Sequence, residues 1–313
     1  MSYNRRNSMK PFFCLAACCS AVALLACPGW AGTEGDEKTA PAPETKPLEP
    51  VPLDEFKFES GYVFESDLNH GGSFGKQDEI QNEFEYAHRF QLSGNLYLHL
   101  GLSYDRYDFG STAAPVPNHL QSIAGVVGVD YMHGKDVGAF LAIRPGFYTQ
   151  NDIGISSFDI PITFGRIFVV RDEKLYFFLG GYVSFLSDYP FLPLPGVIWI
   201  VSDNVRFMGV APNPRLIYSA SKNLEVWLGG DFVGGAFRTD QNDNIRPHKL
   251  SGTQVDFTDY RAGLGLTYKM NDHVSFDLNG GCSIQRQFHF GRAGETYRTD
   301  PSPYVDFRIS AKF

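Results

Sequence analysis

Apolar and polar side chains alternate with a period of two through most of this chain. In the closing stretch from Pro303 to Phe313, Val305, Phe307, Ile309, Ala311 and Phe313 fall on one face of a strand. Tyr304, Asp306, Arg308, Ser310 and Lys312 fall on the other. The same pattern predicts a first strand from Glu55 to Ser66, with Phe56, Phe58, Tyr62 and Phe64 opposed to Lys57, Glu59 and Glu65. A second, from Asp78 to Leu92, opposes Ile80, Phe84, Tyr86, Phe90 and Leu92 to Glu83, Glu85, Arg89 and Gln91. After Ser93-Gly94-Asn95, a third opposes Leu96, Leu98, Leu100, Leu102 and Tyr104 to His99, Ser103 and Asp105.

Further strands are predicted over 120–132, 137–148, 158–170 and 175–186, joined alternately by tight turns (133–136, 171–174) and longer loops. Near the C-terminus, residues 253–270 set Tyr260, Ala262, Leu264, Leu266 and Tyr268 against Asp259, Arg261 and Thr267. Residues 274–290 then set Phe276, Leu278 and Cys282 against Asp277, Asn279 and Gln285. The middle holds three short pieces, 196–202, 204–210 and 215–220, before a long strand over 223–238. Counting those pieces gives 14 strands; leaving them out as a separate hairpin gives 12.

Strand runs of about 10 to 15 residues exceed the usual 5 or 6 of soluble sheets. Aromatics gather near the strand ends, and the chain closes on Phe313. These features predict an all-β fold, a transmembrane antiparallel β-barrel of even strand number, with apolar rows toward lipid and polar rows inward. A soluble sandwich or lipocalin-like fold is the alternative, its apolar rows turned to a shared core. Even parity puts both termini in the periplasm, with the longer loops (67–77, 108–119, 239–252, 291–302) on the outer side.

The N-terminus narrows the cellular setting. Arg5, Arg6 and Lys10 precede an uncharged apolar run from Pro11 to Cys27 and a small-residue stretch ending Gly29-Trp30-Ala31. This reads as an export signal over 1–31. Leu24-Leu25-Ala26-Cys27 leaves open a lipoprotein cleavage at Cys27 instead. Residues 32–54, rich in Pro and Glu, are too poor in apolar side chains to fold alone and read as a disordered periplasmic leader, with the barrel over 55–313. Of the five cysteines only Cys282 follows the signal, so neither a disulfide framework nor a cysteine-held metal is expected, and no cofactor is called for. Loss of residues 1–31 leaves 24 basic against 35 acidic residues, a balance without the basic patch that nucleic acid requires.

Pro190 to Trp199, Ser202-Asp203, Pro212 to Tyr218 and Leu224 to Gly230 resemble a family of uncharacterised bacterial outer-membrane-type barrels. The resemblance implies a Gram-negative-type outer membrane and brings no catalytic residues with it. Separately, Tyr304, Val305, Phe307, Ile309 and Phe313 resemble the insertion signal read by the barrel assembly machinery. That resemblance implies this machinery as a transient partner, beside outer-membrane lipid.

Candidate chemistry is sparse. Outer-membrane hydrolases pair Ser with His on adjacent strands. Of the histidines beyond the signal (His70, His88, His99, His119, His133, His248, His273, His289), His88 and His289 sit best for this. Neither has a serine two residues away, and no phosphate loop or nucleophile elbow appears. An enzyme is therefore not expected. The inward rows carry Lys57, Glu59, Glu83, Glu85, Arg89, His99, Asp105, Arg144, Asp159, Asp259, Arg261, Asp277 and Arg308. Such rows predict a polar, charge-lined lumen, hence a passive pore or transporter for small solutes or ions. Cross-strand pairing that fills the interior is the bland alternative. A structural or adhesive barrel acting through its outer loops is the alternative function.

Overall fold

The computed structural model describes residues 51–133, 136–171, 174–241 and 248–313. The expected signal over 1–31, Cys27, the leader up to residue 50, parts of the turns at 133–136 and 171–174, and the centre of the 239–252 loop lie outside them. All regular structure among the described residues is strand, apart from three single turns of 3-10 helix.

The strands β1 (Asp54–Asn69), β2 (Ser73–Ser93), β3 (Leu96–Phe109) and β4 (His119–His133) are followed by β5 (Asp136–Ile143) and β6 (Gly146–Thr149). These last two continue one another as a fifth wall strand. The sixth consists of β7 (Phe158–Asp159) and β8 (Ile162–Arg171). Then come β9 (Leu175–Val183), β10 (Phe191–Ser202), β11 (Val205–Val210), β12 (Arg215–Ser219), β13 (Leu224–Arg238), β14 (Gln254–Lys269) and β15 (Val274–Phe290). The last wall strand is β16 (Glu295–Thr299) with β17 (Ser302–Lys312). The three interrupted strands break at Pro145, Pro161 and Pro301. Proline has no N–H to give the ladder, so a strand that carries one is cut there.

Each wall strand pairs antiparallel with its predecessor, and β17 returns to β1 through Phe56 opposite Ala311 and Phe58 opposite Ile309. The barrel is closed, with fourteen wall strands. Of the two counts that the sequence allows, the larger holds. The short pieces lie in the wall, Ile198 opposite Met208, Phe207 opposite Leu216 and Leu216 opposite Leu228.

Outward rows run from Ile80 to Leu92 on β2, Leu96 to Tyr104 on β3, Ile123 to Tyr131 on β4, Tyr260 to Tyr268 on β14 and Phe276 to Ile284 on β15. The next outward positions above them are polar: Asp78, Arg106, Gln121, Thr258 and Gln285. Eight steps of about 3.4 Å at a tilt of ~40° rise ~21 Å, close to the ~25 Å apolar band of an outer-membrane barrel. Two face assignments from the sequence change: a bulge between Val63 and Ser66 leaves Glu65 exposed and turns Ser66 inward instead. A bulge between Tyr260 and Arg261 pairs Gln285 with Tyr260 on the outer face and brings Arg286, fully buried, inward opposite Asp259.

The outer end is narrower than the membrane band. β13 takes φ +130° at Gly234, where a Cβ would lie 2.1 Å from the Phe257 carbonyl oxygen, a conformation glycine alone adopts freely. The bend carries Arg238 to a parallel bridge with Thr149 of β6, and the Gln150 N–H donates to the Arg238 carbonyl at 2.9 Å. The Asp240 carboxylate accepts from the Asn151 and Asp152 N–H groups, both at 2.9 Å, and holds the seam. The outer ends of β1–β6 and β13–β16 thus form a turret. Its interior is a buried cluster that includes Leu68, Tyr107, Phe109, Leu120, Phe237, Phe257, Phe288, Phe290 and Tyr297. Phe109 meets Phe257 at 5.0 Å and Phe288 at 4.9 Å between ring centres.

The strands β7–β12 stop below the turret, and β11 and β12 have only six and five residues. Above Gly196 the β11-facing edge of β10 pairs with no strand among the described residues. Pro193 and Pro195, which have no N–H to leave unpaired, stand on that edge.

The lipid band can be checked on one strand. Leu278→Arg, outward at mid-band on β15, is expected to cost about 2–4 kcal/mol, and Gln285→Arg on the same strand less than ~1 kcal/mol. Urea titration in lipid vesicles, followed by heat-modifiable gel mobility, reads both losses. Equal losses would displace the band.

Candidate functional site: the barrel interior

The interior has two unlike walls. On β1–β3 and β14–β17 many inward side chains are charged and bonded to one another, joined by Asp130 of β4 and by Arg144 just after β5, while Ala124, Val126, Met132 and Phe140 complete the inward rows of β4 and β5. Lys57 Nζ lies 2.7 Å from Glu83 and 3.4 Å from Glu59, and Glu59 also takes Arg308 at 2.6 Å. Arg144 meets Glu85 at 2.8 Å, and Asp105 accepts from the Ser122 hydroxyl at 2.7 Å. Nearer the end that carries the chain termini, Arg89 lies between Asp130 at 2.6 Å and Glu55 at 3.0 Å, with His99 3.4 Å from Asp130. Asp277 accepts from Thr267 and stands opposite Arg308 in the register. Closest to the turret, the Arg261 guanidinium spans Asp259 at 2.5 Å, Gln81 at 2.9 Å and Glu79 at 3.1 Å. Arg286 completes this group, donating to the Gln77 carbonyl at 2.5 Å.

The inward row of the sequence reading therefore gathers into cross-strand pairs. Glu79, Gln81 and Asp130 belong to it as well, and their parity with Glu83 and Asp105 along the strands and across the register was the available signal. Arg286 had no such signal, because the bulge shifts its parity. Asp159 is inward too, but serves a loop described below.

On β8–β12 the inward positions are largely apolar, which corrects the expectation of a lumen lined throughout by charge. Tyr176, Ile198 and Met208 stand at one level across β9, β10 and β11. Phe178, Gly196 and Val210 form the next level, while on β12 Arg215 stands opposite Met208 and Ile217 opposite Arg206. Phe178 lies flat over Gly165 and Gly180 and stacks on Phe140 at 6.4 Å. Tyr176, Ile198, Met208 and Val210 are only half-buried although they point away from lipid. On β8–β10 both faces are apolar, and β11 and β12 carry too few residues for alternation to show, so the inner face of this side was not legible beforehand.

A loop over 184–190 roofs this low side. At its near end the Asp159 carboxylate accepts from the Ser184 hydroxyl at 2.7 Å and the Phe185 N–H at 3.2 Å. At its far end Asp256, on the outer surface of the turret, accepts from the Ser187 hydroxyl at 3.3 Å and the Asp188 N–H at 3.1 Å. Tyr189 stacks on His289 at 6.4 Å, and a Cβ on Gly291 would collide with the Asp188 carboxylate. His289 also bonds Thr296 at 2.8 Å, and His88 bonds Asp54 at 2.8 Å beside the ring of Phe90.

Of the closing residues, Tyr304 is buried inward with Arg261 5.3 Å above its ring. Val305, Phe307 and Ile309 are on the outer face, and Phe313 stacks on His273 at 5.7 Å.

No protein-family model matches the chain, and no curated protein does. Among solved structures it is similar to an outer membrane channel from Pseudomonas putida F1, at 12% identity over 88% of this chain and 100% of that one, TM-score 0.43. It is similar to the Pseudomonas putida toluene transporter TodX at 11% identity over 83% and 90%, TM-score 0.33. A third is the translocator domain of the autotransporter NalP from Neisseria meningitidis, at 9% over 84% and 89%, TM-score 0.36. These are likenesses of barrel fold, and they decide nothing about cargo.

The buried pairs can be tested by removing one partner. Arg261→Leu leaves Glu79 and Asp259 without their shared cation and is expected to cost about 3–5 kcal/mol in urea titration. A loss below ~1 kcal/mol would mean that the group is water-filled rather than packed.

Proposed function

We propose that this barrel is an outer-membrane channel for small solutes that carry an apolar part, which cross along the inner face of β8–β12. The observation that supports the reading is the half-buried row Tyr176, Ile198, Met208 and Val210. Lipid calls for apolar side chains on the outer face alone. Inside a barrel, apolar side chains left half-open gain most when a partly apolar molecule covers them. The facing charged wall spends its charges on itself, so it offers little free field to an ion. Entry on the outer side is over the low wall and beneath the 184–190 loop, since aromatic side chains fill the turret. In this reading the signal peptide delivers the chain to the periplasm. The barrel assembly machinery then receives the Tyr304–Phe313 signal.

Swelling of liposomes that carry the purified protein tests the channel. 4-Nitrophenyl glucoside is expected to enter faster than glucose despite its greater size, and Met208→Glu to remove the advantage. Faster entry of glucose, entry of neither sugar, or a large ohmic conductance in potassium chloride would overturn the reading.

A further inference from the structure

We propose that the inner face of β11–β13 is a binding site for the carboxylate of a small organic anion with an apolar body, held by Arg206, Arg215 and Trp227. This deepens the channel reading and rests on it for the anion's route, though not for the site itself.

The register places the three side chains together. Arg206 stands opposite Ile217, and Ile217 opposite Trp227, so they share one level across three adjacent strands. At about 4.8 Å between neighbouring strands, the outer two are ~10 Å apart at the backbone. Arg215 lies two residues from Ile217 on the same face, with its guanidinium 3.9 Å over the Trp227 ring. A Cβ on Gly265 would lie 2.3 Å from that ring, so the glycine on β14 lets the indole lie flat against the wall.

Charge at this patch does not balance. Glu225 receives Arg206 at 2.8 Å through one oxygen and Lys269 at 2.7 Å through the other. Asp231 accepts from Asn213 at 2.5 Å and lies 3.5 Å from Arg215. Three cations thus meet two carboxylates. The next carboxylate along the wall, Asp277, faces Arg308.

A second observation is independent of charge. The Nε–H of Arg206, the Nε–H of Arg215 and the indole N–H of Trp227 are buried without an acceptor among the described residues. Trp227 is only 2% exposed. All three are donors, and a buried donor left unpaired costs free energy that an arriving acceptor recovers. An acceptor with negative charge meets both deficits at once, and the planar guanidinium suits a carboxylate. The body of such a ligand has its place on the same wall, because Met208 is opposite Arg215 and Ile198 opposite Met208.

The test uses an isosteric series, 4-phenylbutyrate, 4-phenylbutan-1-ol and 4-phenylbutan-1-amine, in equilibrium dialysis against the full-length protein in lipid nanodiscs, with empty nanodiscs as the blank. The acid is expected to bind at least about tenfold more tightly than the alcohol, and the amine most weakly. Arg206→Gln and Arg215→Gln should each bring the acid to within about threefold of the alcohol and leave the alcohol unchanged. Arg206→Lys, which keeps the charge and loses the fork, should fall between. Heat-modifiable mobility verifies each barrel, and Arg206→Gln carries the test if the Arg215 variant does not fold. Equal binding of the three probes, or equal weakening of acid and alcohol in the Arg variants, overturns the site. Acid-selective binding in a protein that leaves liposomes unswollen would keep the site and remove the channel; swelling without acid selectivity would do the reverse.

Discussion

Hydrocarbon offers no partner for a peptide N–H or C=O, and this architecture follows from meeting that demand. A sheet in lipid has to close on itself, and here the closure is the β1–β17 ladder, which runs from Glu55 opposite Lys312 to Val63 opposite Tyr304. The main chain also ties the seam at the end that carries both chain termini, where the Phe313 N–H donates to the Asp54 carbonyl at 2.9 Å. The same demand explains the prolines. Pro193 and Pro195 occupy an edge of β10 that has no strand beside it among the described residues, where a missing donor is an advantage.

Closure creates a second problem, because fourteen strands enclose more space than their inward side chains fill by simple apposition. The chain meets it in two ways. Across the turret it narrows the ring, through the bend at Gly234 and the Arg238–Thr149 bridge, and packs the smaller interior with aromatics. Across the tall half of the membrane band it uses long charged side chains that reach their partners over neighbouring strands. Those charges are costly to bury singly and tolerable in pairs, and this is why Arg261, Arg89 and Arg308 each find carboxylates within about 3 Å.

The low side is filled in neither way. Its inward side chains are largely apolar apart from Arg206 and Arg215, its strands end early, and a loop held by Asp159 and Asp256 covers it. The interior is therefore asymmetric, with a charged wall whose ions are largely cross-paired facing a more apolar one that carries, at its edge, three donors unpaired among the described residues. A uniform polar pore needs free charge all the way round, and this barrel has little of it.

Period-two alternation in the long strands determined the fold class, the outward rows and the charged inner row. In lipid the two faces of a strand meet opposite solvents, so the side-chain pattern has to declare them. In β11 and β12, with six and five residues, too few positions exist for alternation to declare a face, and Arg206, Arg215 and Trp227 could not be grouped. Arg286 was hidden for a related reason, since a single bulge reverses parity beyond it. The turret, the roof and the partners of each charge depend on which strands become neighbours and in what register. Those are relations between segments far apart in the chain, and only the closed barrel sets them.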